Sequence, residues 1–301
     1  DISRLWAAEQ TCRALYQYVM AIISKRNTLE WGIYLLVGTV AFMFLFAFFM
    51  QFMLYDISAH IKFPLSIVAA GIILYALKKY LSLYVEDKSR LSILRQMYTL
   101  GIGWLVSAVY FSAIMVCLYF TGHYTITSIK LNFASQLAGL SFYLLVGVCE
   151  EAVFRGIVYR MISDKWNVVV GLIVSALLFG FLHIFNDGAT VWSSLAIALN
   201  SGWFMGIAYA YHQTIWVPIG MHWCWNYLQG NIFGCSVSGD ATVQNPLFTP
   251  SISGPDILTG GTFGPEASII TFVIGIGISI VYTVLYIKKK KKLGAEPEML
   301  F

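Results

Sequence analysis

The sequence predicts an all-α, polytopic membrane protein of about eight transmembrane helices with both termini cytoplasmic. Three observations carry this expectation. Hydrophobic residues make up 58% of the 301 and charged residues only 11%, which is more apolar surface than one soluble core can hide from water. Several runs reach the roughly 20 apolar residues that a helix rising about 1.5 Å per residue needs to cross a bilayer, Trp31 to Met53 being the clearest. Lys and Arg flanking membrane helices stay preferentially on the cytoplasmic side. With eight spans and cytoplasmic termini, Lys62 and Lys130 fall outside and Arg155 within a span, which leaves sixteen of the nineteen inside.

In chain order, residues 1–30 suit an amphipathic interfacial helix. Leu5, Trp6, Cys12, Leu15, Tyr16, Val19, Ile22 and Ile23 fall close to helical spacing, with Arg4, Glu9, Arg13 and Gln17 between them. No charged stretch followed by a short apolar core and a small-residue cleavage site occurs there, so no signal peptide is expected. The predicted spans are 31–54, 64–83, 100–120, 137–160, 167–185, 193–211, 214–234 and 267–287, all within one transmembrane domain, 31–287. The connection from Cys235 to Glu266, rich in Gly, Ser, Thr and Pro, is expected to be an irregular outer loop. The basic tail 288–301 opens with Lys288 to Lys292, a run that anchors a cytoplasmic helix end at anionic lipid rather than binding nucleic acid. Five cysteines form no CxxC pair, and neither a disulfide framework nor a thiolate metal site is indicated.

Two of the fifteen acidic residues, Glu150 and Glu151, lie deep in the fourth span. A charge at the centre of a membrane helix costs about 2.5–3.5 kcal/mol on insertion scales, so such residues face the bundle interior and mark a function. Arg155 follows Glu151 by four residues, on nearly the same face, whereas Glu150 is rotated by about 100°. Glu151 is therefore placed to pair with Arg155, and Glu150, in a drier setting beside a like charge, to act as a general base. The fifth span carries Phe179 and His183 at i, i+4, and the seventh carries His222 and Asn226 at the same spacing. His183 is suited to hold a water, and His222 with Asn226 to donate hydrogen bonds to an oxyanion. The Glu151–Arg155 pair equally suits a structural ion pair, and Phe154, Phe179, Trp223 and Trp225 read as packing. Depth poses a difficulty. Counted from the cytoplasmic ends, Glu150 and His183 lie about 21–24 Å up their helices but His222 only about 12 Å.

Glu-Glu-x-x-x-Arg with Phe154 before the arginine, then Phe-x-x-x-His, then His-x-x-x-Asn, in that order on separate membrane helices, resembles the CPBP family. This family comprises the CAAX prenyl proteases and bacteriocin-processing enzymes, also called the ABI family. The resemblance covers mainly 137–234. It implies an intramembrane endopeptidase of the glutamate type in which Glu150 activates water, Glu151 and Arg155 support it, His183 orients the water, and His222 and Asn226 form the oxyanion hole. The expected partners are a hydrophobic peptide or membrane-protein substrate, of lipidated, leader or pheromone type, and membrane lipids. No nucleic acid partner and no cofactor is expected. Zinc on Glu150, His183 and His222 is the alternative, although no His-Glu-x-x-His helix is present. A proton-coupled transporter and a noncatalytic scaffold of the same fold are the competing functions. The positive-inside bias favours a multi-pass protein of a bacterial plasma membrane.

Overall fold

A computed structural model describes residues 28–54, 58–84, 93–241 and 245–294. The expected N-terminal amphipathic helix, through residue 27, and the tail beyond 294 lie outside the described residues. Each predicted span forms a helix: α1 (Thr28–Leu54), α2 (Ala59–Tyr84), α3 (Ile93–Phe120), α4 (Phe133–Lys165), α5 (Val168–Phe185), α6 (Val191–His212), α7 (Trp216–Tyr227) and α8 (Ile269–Lys292). The starts of α4, α5 and α8 are set by Asn132, Asn167 and Ser268, whose side chains accept the backbone N–H of Ser135, Val170 and Thr271. Thr190 and Ser193 form a reciprocal capping box at α6.

Lipid as solvent accounts for the surface. Leu36, Phe44, Val68, Leu105, Phe181 and Ile280 are large, apolar and exposed, a pattern stable only where no water meets them. In the most apolar stretch of α1 only 11% of residues are buried, against 67% in α4 and 72% in α6. Those two helices therefore form the centre of the bundle.

Among the described residues, seven helices are long and apolar enough to cross a membrane. The predicted span 214–234 is the shorter exception: α7 continues as a π-helical turn, Leu228–Ile232, and reaches only about 25 Å. Its beginning is recessed. Thr214, Ile215 and Trp216 line a cleft of about 460 Å³ together with Gly156 and Arg160 of α4. Starting inside this cleft rather than at the helix ends closes the depth gap that the sequence left between His222 and the glutamates.

Two close approaches hold α7. Against α3, a Cβ on Gly220 would lie 2.2 Å from the Leu100 carbonyl oxygen, and one on Gly103 would lie 2.1 Å from that of Val217. Only paired glycines let the backbones meet this closely. We expect Gly220→Leu to destabilise the protein by at least the roughly 1–3 kcal/mol typical of overpacking, since the obstacle is backbone, with a lower unfolding temperature in detergent as the check. Against α4, polar contacts run antiparallel along the seam. Trp223 Nε1 donates to the Leu140 carbonyl at 3.0 Å, Tyr227 Oη to Gln136 Oε1 at 2.9 Å, and Asn231 Nδ2 to the Ser135 carbonyl at 2.9 Å.

The long connection after α7 departs from the irregular loop expected. Its strand β2 (Phe248–Ile252) pairs antiparallel with β1 (Tyr124–Ile129) between α3 and α4, from Tyr124 opposite Ile252 to Ile129 opposite Phe248, with an irregularity between Ile126 and Ser128. Pro250 is tolerated because each strand of a two-stranded sheet is an edge. The basic run is helical. Lys288 to Lys292 complete α8, and Lys289 Nζ donates to the Tyr211 carbonyl at 2.6 Å.

Candidate active site

Glu150 and Glu151 end the first α-helical part of α4, and the next residues, Ala152–Tyr159, are a π-helix before α-helix resumes at Arg160–Lys165. A π segment widens the helix by one residue per turn, frees carbonyls for other partners and is frequent at functional sites. The Phe154 carbonyl accordingly accepts from Ser175 Oγ on α5 at 2.9 Å. Arg155 remains within reach of Glu151, and its Nη1 donates to Glu151 Oε1 at 2.8 Å. Its Nη2 donates to the carbonyls of Ser201 at 2.8 Å and Gly202 at 3.1 Å. Both acceptors lie in a second π segment, Ala198–Trp203, in α6. Arg155 and Glu151 are both fully inaccessible, at 0%. The pair is thus desolvated, and it is held by charge and backbone dipoles together.

The same Glu151 Oε1 accepts a hydrogen bond from His222 Nδ1 at 2.9 Å. A carboxylate accepts, so Nδ1 carries the hydrogen. The far edge of the ring faces the other glutamate, with His222 Nε2 3.8 Å from Glu150 Oε2. A Cβ on Gly147 would sit 3.3 Å from the Trp223 nitrogen and 3.6 Å from His222 Cβ, so this glycine sets the α4–α7 spacing on which the contact depends. The two glutamates are therefore unlike. Both Oε2 atoms lack a hydrogen-bond partner among the described residues, but Glu151 is fixed through Oε1 by a guanidinium and an imidazole, whereas neither holds Glu150, whose side chain is 16% exposed.

His183 enters differently. Its Nδ1 bonds the Phe179 carbonyl at 2.7 Å; a carbonyl accepts, so Nδ1 carries the hydrogen and Nε2 points away from this bond. No ion pair joins it to the glutamates among the described residues. Phe179 connects them. The Arg155 guanidinium lies over its ring at 4.7 Å, and its centroid is 4.8 Å from that of His183 and 6.0 Å from that of His222. The sequence assigned Phe179 to packing alone; its ring also shields the ion pair from water. Asn226 is buried one turn beyond His222.

Five of the six expected residues thus form one connected cluster, Glu150, Glu151, Arg155 and His222 directly and His183 through Phe179. Asn226 is placed beside it by helix geometry. Among the described residues no group of three His, Cys, Asp or Glu side chains is placed to hold a metal ion.

Sequence reasoning missed Glu266. It counted as a loop residue, yet it is 3% exposed and its Oε1 accepts the Ser238 N–H. The available signal was its position between Gly264-Pro265 and Ala267-Ser268, small residues at the mouth of a membrane span. Burial pushes its carboxyl above the ordinary glutamate range, partly offset by the Ser238 hydrogen bond and by His183. The ionised form is then penalised in the folded state. Stability contributed by the protonated carboxyl is complete below about pH 4.3 and declines as pH rises through the higher folded-state value. We expect the unfolding temperature to fall with rising pH over that window, and Glu266→Gln to flatten the decline. The neighbouring Cys235 thiol is pushed up to about 12 by burial and by Glu266, which rules it out as a thiolate nucleophile near neutral pH.

Residues 132–228 match the family model described as type II CAAX prenyl endopeptidase Rce1-like. Among curated proteins and among solved structures, none matches this chain. The matched segment runs from the Asn132 cap of α4 into the π turn after α7, and it contains Glu150, Glu151, Arg155, His183, His222 and Asn226 together with the two π segments that Arg155 joins. In this multi-pass membrane protein, residues 132–228 are thus similar to the Rce1-like type II CAAX prenyl endopeptidases, in agreement with the CPBP resemblance of the motifs.

Proposed function

We propose that the chain is an intramembrane glutamate endopeptidase that hydrolyses a peptide bond of a hydrophobic, lipidated or leader-type peptide without a metal. The observation that carries this reading is the asymmetry of the glutamates: Glu151 is held through Oε1 by both Arg155 and His222, whereas Glu150 takes a hydrogen bond from neither and presents its Oε2 3.8 Å from His222 Nε2. Glu150 takes a proton from water as the water oxygen bonds to the scissile carbonyl carbon. His222 Nε2, donating as imidazolium, and Asn226 receive the developing oxyanion, where preorganised donors in a water-poor site are worth several kcal/mol. Glu150 then returns the proton to the amide nitrogen, the C–N bond breaks, and the new carboxylic acid passes its remaining proton to the amine, so that a carboxylate and an ammonium leave. His183 Nε2 accepts a hydrogen from the attacking water and orients it. Arg155 and Glu151 touch no reacting atom; they hold His222 at its angle.

Substrate reaches such a site from lipid. An apolar groove of about 370 Å³, lined by Leu178, Phe181, Ile184 and Leu195, adjoins the turn that carries His183. It suits an apolar chain or a hydrophobic segment. The test uses purified protein in lipid nanodiscs with quenched fluorescent peptides that carry a hydrophobic C-terminal segment, with and without an S-farnesyl cysteine. The expected result is cleavage at one internal bond, located by mass spectrometry and unaffected by a zinc chelator. Loss of cleavage with chelator, restored by zinc, contradicts metal-free chemistry. Proton-coupled flux in vesicles without any cleavage contradicts the protease assignment itself.

A further inference from the structure

The connection 235–266 contains a tight hairpin turn whose tip is anchored on both sides. Val237 and Asp240 exchange backbone hydrogen bonds, each 2.8 Å, and the two residues between them both have positive φ, Ser238 at 49° and Gly239 at 88°. This is the type I′ arrangement. Glycine suits the second position, but a serine in the left-handed region is held there only when its surroundings fix it. Here both sides of Ser238 are fixed. Its N–H is taken by the buried Glu266 carboxylate, and its carbonyl accepts from Asn186 Nδ2 at 2.9 Å. Gly239 N–H donates to the Phe263 carbonyl at 2.8 Å, and a Cβ on Gly239 would lie 2.0 Å from the Asp187 carbonyl oxygen. The turn therefore fits tightly against residues 186–187.

Those residues directly follow the histidine of the site. The Asn186 N–H bonds the His183 carbonyl at 3.2 Å, closing the 3-10 turn His183–Phe185 in which α5 ends. A chain of contacts thus runs from Glu266, ahead of α8, through Ser238 and Asn186 to the backbone of His183. We propose that Glu266 is a positioning residue: through Ser238 it clamps the 237–240 turn against Asn186 and so fixes the helix end from which His183 reaches the reacting water. This deepens the protease reading and rests on His183 belonging to that site.

Glu266→Ala removes the acceptor, Glu266→Gln keeps an acceptor oxygen without the charge, and Asn186→Ala cuts the next link. With the quenched S-farnesyl peptide, Glu266→Ala is expected to lower kcat about tenfold with little change in KM, as a small displacement of a water-orienting group does. Glu266→Gln restores most of the rate. The Glu266→Ala/Asn186→Ala double variant is no worse than the more impaired single one, because both break one chain. Equal impairment by Gln and Ala, or additive effects, overturns the clamp. Hydrogen–deuterium exchange tests the coupling with no substrate: Glu266→Ala should speed exchange across 183–189 and 236–240 but not across 140–151. Unchanged exchange at 183–189 overturns the proposal even if the protein is a protease, and faster exchange there supports it even if no peptide is cut. If Glu266→Ala fails to fold, Asn186→Ala carries the same comparison: faster exchange at 236–240 supports the clamp and unchanged exchange overturns it.

Discussion

Replacing Glu150 by Gln is expected to slow peptide cleavage by roughly 10²–10⁴-fold, the range that a positioned general base contributes, while KM and the unfolding temperature stay close to those of the unaltered protein. Geometry justifies both halves. Glu150 Oε2 holds no hydrogen bond among the described residues, so the amide breaks none at that atom and keeps its place 3.8 Å from His222 Nε2, yet it cannot take a proton from water. The same substitution one residue later should behave differently. Glu151 Oε1 is shared by Arg155 and His222, and Glu151→Gln removes the charge both depend on. Adjacent, isosteric changes should therefore separate a loss of rate from a loss of stability. If Glu150→Gln cleaves at the unaltered rate, Glu150 is not the base.

Arg155→Met is expected to destabilise the protein by about 3–5 kcal/mol, the cost of breaking a buried ion pair from one side. Glu151 would be left charged in a site from which water is excluded, and the carbonyls of Ser201 and Gly202 would lose their donor. Arg155→Lys should recover only part of this. An ammonium on a flexible stem cannot meet Glu151 and two carbonyls at once while lying flat over Phe179. Both variants should also slow cleavage, because His222 is oriented through the Glu151 oxygen that Arg155 holds. Unfolding temperatures in detergent, read beside cleavage rates, check the two effects. An Arg155→Met protein as stable as the unaltered one would show that the pair contributes no net stability.

The fold was legible because lipid simplifies the sequence: long apolar runs between capping residues such as Asn132, Asn167 and Ser268 leave little choice of where helices begin. Glu151–Arg155 was legible because i, i+4 spacing survives the onset of the π-helix. The site's assembly was not. His222 counted as too shallow, since no rule of span length announces that α7 starts inside a cleft at Trp216. Arg155 finds its second set of partners on carbonyls within a π segment of α6, and neither π segment has a local pattern that marks it. Glu266 was hidden by composition, since a Gly-, Ser- and Pro-rich connection reads as solvated loop even where it folds back into the protein. The strands were within reach, because Thr125, Ile126, Thr127, Ser128 and Ile129 alternate polar and apolar residues for most of their length, but six residues beside a membrane span are easily taken for a connector.

The central claim is that water activated by Glu150 attacks the peptide carbonyl directly, with no covalent link between enzyme and substrate. It is tested most directly by one turnover with enzyme in excess, in ¹⁸O-labelled water containing hydroxylamine, with the new C terminus of the product weighed by mass spectrometry. Direct attack predicts a single ¹⁸O in that carboxylate and no hydroxamate. A hydroxamate, or an unlabelled carboxylate, would reveal an acyl intermediate on the enzyme and contradict the assignment of Glu150 as a base.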